Sequence, residues 1–487
     1  MGKHVVIVGS GTSGLVSALI IRAMFADYNI TIISSSRIGI IGVGEGSTEH
    51  WKTFQIACGI PVEEMLSACD ATHKNGIYFE NWSSNKDYMH SVSFGGDQKN
   101  TFNGTYAYCL SIGKPIYEVV HGVDFPITTI PNTEKPHDSV NQYHFDTVKL
   151  NSYLTNLAKN RNIKFIDGEV LLVNKNIENG YIKSVTLKES NAVIDGDFFI
   201  DASGFSRVLM KELDNKFVDY SDYLLCDSAI AFPTPSDESG EIKPYTRAIA
   251  LKNGWMWEIP TQSRRGNGYV FSSKFCSPEQ AAQECSEIHK KEIIPAKTFK
   301  FKPGYYPNAW VNNCVGIGLS GSFVEPIEAT SIGTSIQQSF LLCSYLSTFK
   351  PNNNKSIAEY NRIFASVMSN ILVMVSMHYM TDRNDTDMWS ATRSLKRPDD
   401  LTRLLELWQE RCPEKHDILS TGWELFSATN FWHIAQGQGL LNSQIAAEQL
   451  SCYDSLLPVT QSLHNHKKAR IELGELNHAE ALKKLKK

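Results

Sequence analysis

The first run of apolar residues, 5–8, reads as a buried strand, and it breaks at once into the glycine-rich stretch GSGTSG. From Leu15 to Met24 small and apolar side chains then recur on one face, which predicts a helix. A second strand is predicted over 30–33. A third is predicted within 197–207, ending at Asp201 ahead of Ser203 and Gly204, and a fourth over 313–317. The most apolar later stretch, 363–380, is interrupted by Ser366, Ser369, Asn370, Ser376 and His378, the pattern of a buried helix rather than a bilayer span. No internal repeat is visible. Linker-like composition occurs at 234–242 and 351–355, and the second is taken as the domain boundary.

Composition narrows the function classes. The chain has 487 residues, 42% of them hydrophobic and 20% charged, enough to bury a large core. A net charge of -5 without a basic run excludes the electrostatic footprint of a nucleic-acid binder and favours small-molecule chemistry. The ten cysteines contain no C-x-x-C pair, so reduced, buried thiols are expected. A strand beginning at Val5 leaves no room for a cleavable leader, and a cytoplasmic protein without a membrane segment is expected. His464 and His466 have no third ligand at a recognisable spacing, and no metal is expected.

Candidate chemistry begins at the glycines. Between a strand and a helix, Gly9 permits a tight turn, Gly11 lets backbone approach a pyrophosphate, and Gly14 lets the helix pack on the sheet. The amides of Thr12 and Ser13 then open the helix toward the phosphates. The strand over 30–33 ends in Ser34, Ser35 and Ser36 where a dinucleotide fold places an acidic ribose ligand, so Ser34 can offer only a neutral contact. NAD and FAD enzymes share this opening. The returning strand at Asp201, and Gly318 and Gly321 behind the fourth strand, point to a flat flavin ring.

The segment GWMWEIP at Gly254–Pro260 resembles the W-x-W-x-I-P signature of flavin-dependent halogenases, through Trp255, Trp257, Ile259 and Pro260. By itself, a tryptophan pair two apart is most often a same-face pair on a strand. The similarity continues in RIGIIGVGEGST (37–48), YHFD (143–146), GLSGSFVEPIEATS (318–331) and HYMTDRNDTDMW (378–389), is nearest to the tryptophan-halogenase branch, and covers roughly residues 1–440.

The resemblance implies an α/β fold: an FAD-binding, Rossmann-like module of the aromatic-hydroxylase type over 1–350, interspersed with a substrate-side β-sheet, and a mainly helical substrate-binding region over 351–487. It implies that reduced FAD, supplied in trans by a separate NAD(P)H-dependent flavin reductase, reacts with dioxygen and a halide (chloride, bromide or iodide) to give hypohalous acid. Gly44, Glu45 and Ile332 join the cofactor residues on this basis, and Thr330 and Ser331 hold halide. Trp255 and Trp257 shield the ring. Lys74, in HKNGIYFENW, receives the hypohalous acid, and Glu328 rather than Glu325 is its paired carboxylate. Ala329 and Ser331 stand where many relatives have serine and glycine. In the substrate region, ATNFWHIAQGQGLLN puts Phe431 and Trp432 at the aromatic places and leaves Gln436 and Gln438 without a carboxylate for a substrate ammonium. With His90 and Phe94 they are expected to line a pocket for a small aromatic substrate, an indole or phenol, rather than free tryptophan. A homo-oligomer is an allowed state. The competing enzyme class is an FAD-dependent aromatic monooxygenase, against which the tryptophan pair argues. A non-enzymatic flavin-binding scaffold would lack Lys74 and Glu328, and an NAD-dependent dehydrogenase leaves the downstream motifs without a role.

Overall fold

Residues 5–8 form a strand with apolar side chains buried on both faces, as a central strand of a parallel sheet requires. The sheet has six strands, in the order Trp310–Val311, Cys314–Gly316, Phe198–Asp201, His4–Val8, Asn29–Ser34 and Lys164–Asp167. All its pairings are parallel except the hairpin of the first two. The strands read from the sequence are here, each within a residue or two of its expected place. In this computed structural model the residues described are all but 1, 40, 41, 43, 85, 86, 92–97, 116, 117, 119–127, 135–139, 419, 420, 453–455 and 485–487, and the side chains of 98–103, 458, 462, 463 and 466 are also outside the description.

The chain forms two compact units, each assembled from three stretches: Met1–Asp70, Phe145–Ser221 and Lys300–Ser369 in the first, Ala71–His144, Asp222–Phe299 and Asn370–Lys487 in the second. The expected change at residue 350 falls inside the first unit. There the helix Asn354–His378 begins, and Asn361 fastens it by exchanging hydrogen bonds with the backbone of Trp310, both at 2.9 Å.

In the first unit, the helix Thr12–Met24 buries residues 14–21. Its serine-bearing side meets the helix Thr330–Leu346, where Ser13 pairs with Ser335 and Ser17 with Ser339, each at 2.9 Å between hydroxyls. Small hydroxyl side chains let the two helices approach and satisfy one another's polar atoms.

The second unit is built on a seven-stranded mixed sheet, in the order Lys297–Lys300, Ser228–Pro235, Arg264–Phe271, Gly254–Pro260, Thr246–Ala250, Gly76–Glu80 and Tyr88–Ser91. The helix Pro278–His289, opened by a capping box at Ser277, covers one part of it. The helices Gln98–Ser111, Ala428–Gly437 and Ser443–Ser451 share a core around Tyr106 and Trp432. Polar residues in the apolar stretch are absorbed by packing: Asn370 donates to Phe426 O and accepts from Phe426 N, both at 3.0 Å. No helix among the described residues is long and apolar enough to cross a membrane.

Candidate active site

In the first unit the three glycines of the opening turn do three different things. Gly9 has φ +111°, and a Cβ there would collide with Ala202 O. A Cβ on Gly14 would strike Gly9 O. On Gly11 it would meet nothing within 4 Å, so the space over this residue is open. Gly11 caps the helix Thr12–Met24 without a side-chain bond, and no acidic residue occupies the first turn. The amides that begin this helix are therefore ready for a phosphate. Asn151, on the helix Thr147–Asn160, steadies the turn by donating to Ser10 O at 2.7 Å. A sequence pattern gives no sign of that contact.

Around the turn, Thr12 Oγ1 donates to Glu45 Oε2 at 3.5 Å, and Gly44 precedes Glu45 in the chain. Burial pushes the Glu45 carboxyl up to about 7, against the smaller effect of the Thr12 hydroxyl. Gly318, at φ +66°, lies so close to Ser13 that a Cβ would collide with its hydroxyl, and a Cβ on Gly321 would collide with Gly316 O. Ser34 ends its strand beside Asp167, which accepts from Ser36 N and Ser36 Oγ, both at 2.8 Å.

Asp201 is fully buried, and its carboxylate accepts from Ser203 N (3.0 Å), Ser203 Oγ (2.6 Å), Leu209 N (2.7 Å) and Met210 N (2.8 Å). These four internal donors make Asp201 the fastening point of the loop that follows its strand.

Glu328 and Ala329 both adopt left-handed backbone, at φ +65° and +55°. Two consecutive non-glycine residues in this region carry strain that packing must hold, a feature concentrated at functional sites. Glu328 is only 4% exposed, Glu325 is also buried, and the helix Thr330–Leu346 starts directly after Ala329 without a side-chain cap or an acidic first turn. Thr330, Ser331 and Ile332 supply its first amides.

In the second unit, Trp255 and Trp257 lie on one strand with ring centroids 6.2 Å apart. Trp255, 2% exposed, packs on Trp82 at 6.2 Å within an aromatic cluster that includes Trp389 and Tyr379. Trp257 lies over Gly268 of the neighbouring strand, where any Cβ would enter its ring. Neither indole N–H has a hydrogen-bond partner among the described residues.

Lys74, 1% exposed, follows the short strand Thr72–His73, and its N–H donates to Gln142 O at 3.0 Å. A fully buried lysine is rare, and the imidazole of His144 is near enough to feel its charge. His144 bonds Thr72 Oγ1 at 3.1 Å and Thr246 Oγ1 at 2.9 Å. Burial, and then the charge of Lys74, hold it well below the usual histidine range. Lys74 belongs to the second unit and Glu328 to the first.

His90 is buried and faces Asn430 (Nε2 to Nδ2, 3.0 Å) and the ring of His433 (5.5 Å). Phe431 and Trp432 are buried, Trp432 edge-on to Tyr106 at 4.9 Å in the helical core. Gln438 is engaged by His378 O (2.7 Å) and Tyr88 Oη (3.2 Å). Phe94 lies outside the described residues. Asn430 and His433 were not read from the sequence, although they flank the two aromatics.

The sequence profile of the tryptophan halogenase family matches residues 4–451. The chain belongs to this family. It is a flavin-dependent halogenase. Among its relatives, the tryptophan 6-halogenase SttH of Streptomyces toxytricini is 31% identical over 85% of each chain. The tryptophan 7-halogenase RebH of Lentzea aerocolonigenes is 30% identical over 83% of this chain and 81% of its own. The structure of the tryptophan halogenase from Shewanella frigidimarina superposes with a TM-score of 0.89 at 26% identity, covering 99% of this chain and 97% of that one. For this halogenase the glycine turn passes the test for FAD: it is closed where backbone must pack and open where a diphosphate must approach.

Proposed function

We propose that this halogenase makes hypohalous acid in its FAD-binding unit and uses it at Lys74 on an electron-rich indole or phenol. Bound reduced FAD supplies the two electrons that activate dioxygen, and a separate NAD(P)H-dependent flavin reductase renews it. The strained, buried Glu328 directly before an uncapped helix carries this reading, because it combines a carboxylate with backbone amides that favour an anion. Halide is held at Thr330 and Ser331. Gly9, Gly11, Thr12, Ser13, Gly14, Ser34, Gly44, Glu45, Asp201, Gly318, Gly321 and Ile332 surround the cofactor, and Trp255 and Trp257 screen its ring from substrate.

Lys74 then hydrogen-bonds the hypohalous acid or forms a haloamine, either of which fixes the electrophilic halogen in place. The ring carbon attacks the halogen, the oxygen–halogen or nitrogen–halogen bond breaks, and the ring proton passes to the Glu328 carboxylate. Asn430, Gln436 and Gln438 offer no charge to a substrate ammonium, which favours neutral indoles or phenols over free tryptophan. His90, Phe94, Phe431 and Trp432 belong to the substrate side, with Trp432 acting through packing. Halogenation by the unmodified enzyme, lost in Lys74→Ala while flavin oxidation continues, tests the assignment. A wild-type halogenation rate in Lys74→Ala would refute it.

A further inference from the structure

The backbone leading to Lys74 is fastened residue by residue. Thr72 Oγ1 donates to Pro260 O (2.7 Å), Lys74 N–H to Gln142 O (3.0 Å) and Asn75 N–H to Pro244 O (2.6 Å). The strand Thr72–His73 is at the edge of its sheet, with Thr72 opposite His144 and His73 opposite Tyr143. In an antiparallel ladder the N–H groups alternate in direction, so when Lys74 N–H reaches Gln142, that of His73 points outward. A buried outward N–H needs an acceptor from elsewhere in the chain.

That acceptor is His478 Nε2, at 3.1 Å, 405 residues later in the sequence. His478 opens the short helix His478–Lys484, and its other nitrogen, Nδ1, lies 3.1 Å from Ile242 O. A carbonyl can only accept and a backbone N–H can only donate. Nδ1 therefore carries the proton and Nε2 offers its lone pair, which makes the ring neutral. Its ring stacks on that of His73 at 5.4 Å. Burial pushes His478 down to about 4, so the accepting form persists under ordinary conditions.

We propose that His478 is a positioning residue for Lys74: it completes the attachment of the preceding residue and thereby fixes the direction in which the Lys74 amine meets the halogenating agent. This rests on the reading of Lys74 as the residue that receives hypohalous acid. The reason is geometric, since a displacement of about an ångström at a reacting group costs about a hundredfold in rate.

The test compares the full-length enzyme with His478→Phe, which keeps a stacked ring and loses both hydrogen bonds, and with His478→Gln, whose amide can still accept from His73 and donate to Ile242. Three quantities are measured: FAD oxidation, halogenated product per FAD oxidised, and hypohalous acid escaping to taurine. In His478→Phe FAD oxidation should persist, coupling to product should fall by about tenfold or more, and halotaurine should appear. His478→Gln should recover most of the coupling. If His478→Phe does not fold, His478→Asn, too short to reach His73, replaces it in the comparison with His478→Gln. Normal coupling without the His73 bond, or equal losses in the glutamine variant, would overturn the proposal. Lys74→Ala, run in parallel, separates the two failures: if it still halogenates, the reading of Lys74 falls and this inference with it. If it is inactive while the His478 variants couple normally, this inference alone falls.

Discussion

Variants at Lys74 and Glu328 test whether the use of the oxidant can be separated from its formation. Lys74→Ala should abolish halogenated product and leave flavin oxidation intact, and Lys74→Arg should not rescue it, because guanidinium keeps its protons and has no lone pair to offer. In Glu328→Gln, product formation should fall by ~10²- to 10⁴-fold, the usual contribution of a positioned base, with FAD affinity near normal by fluorescence titration. Both residues were legible only through the motifs around them. The left-handed backbone at Glu328 and Ala329 was not, since neither residue type announces a positive φ. Gly11→Val should weaken FAD binding without unfolding the protein, as its side chain enters open space; unchanged affinity would remove the turn from the cofactor site. His478 also has a consequence for stability. Its pKa is depressed in the folded state, so its neutral form supports folding fully above about 6.5, and that support is lost as pH falls toward about 4. In denaturant titrations the stability of wild type relative to His478→Gln should be greatest near neutrality and decline as pH falls from about 6.5 toward about 4. Glu45 has the opposite sign: raised to about 7, its contribution is fully present below about 4.5 and lost as pH rises through 7.

At the level of elements, apolar runs and glycines marked four strands of the six-stranded sheet but not its edge strands Lys164–Asp167 and Trp310–Val311, because a strand buried on both faces has no polar alternation to confuse it with a surface segment. Pairing across the antiparallel sheet was not legible. Nothing in RRGNGYVF says that Gly268 lies under Trp257, yet the register makes the two residues opposite. Gly268→Val should therefore displace the Trp257 ring, seen as altered tryptophan fluorescence, and raise peroxide release per FAD oxidised; an unchanged peroxide yield with a displaced ring would remove Trp257 from the screening role. The uncapped start of the helix Thr330–Leu346 gives a second outcome. Ser331→Asp puts a carboxylate where an anion is proposed to sit, so the halide concentration for half-maximal rate should rise several-fold while the helix itself is stabilised. Asp201 shows what motif reading leaves out: an acidic residue at a strand end gives no sign of the four local donors that its carboxylate accepts from.

Across the whole molecule, the two units draw alternately on the chain, each assembled from three separate stretches of sequence. Family motifs survived this interleaving because each is a short local signal, whereas His478 meeting His73 carries none that spacing could reveal. Chemistry is more legible than specificity for the same reason: the glycine turn states its ligand locally, while the residues around His90 are brought together from distant segments. Competition between free tryptophan and neutral indoles or phenols should favour the neutral rings, and a strong preference for tryptophan would show that a carboxylate outside the segment 428–442 supplies the missing charge. The central claim is that this enzyme halogenates an aromatic ring that its flavin does not touch. It is tested most directly by aerobic turnover with FAD, a flavin reductase, NADH and each halide in turn against an indole and phenol panel, with products read by mass spectrometry. The account predicts halogenated product that requires halide and no hydroxylated product; efficient hydroxylation by the unmodified protein would contradict it and favour the monooxygenase.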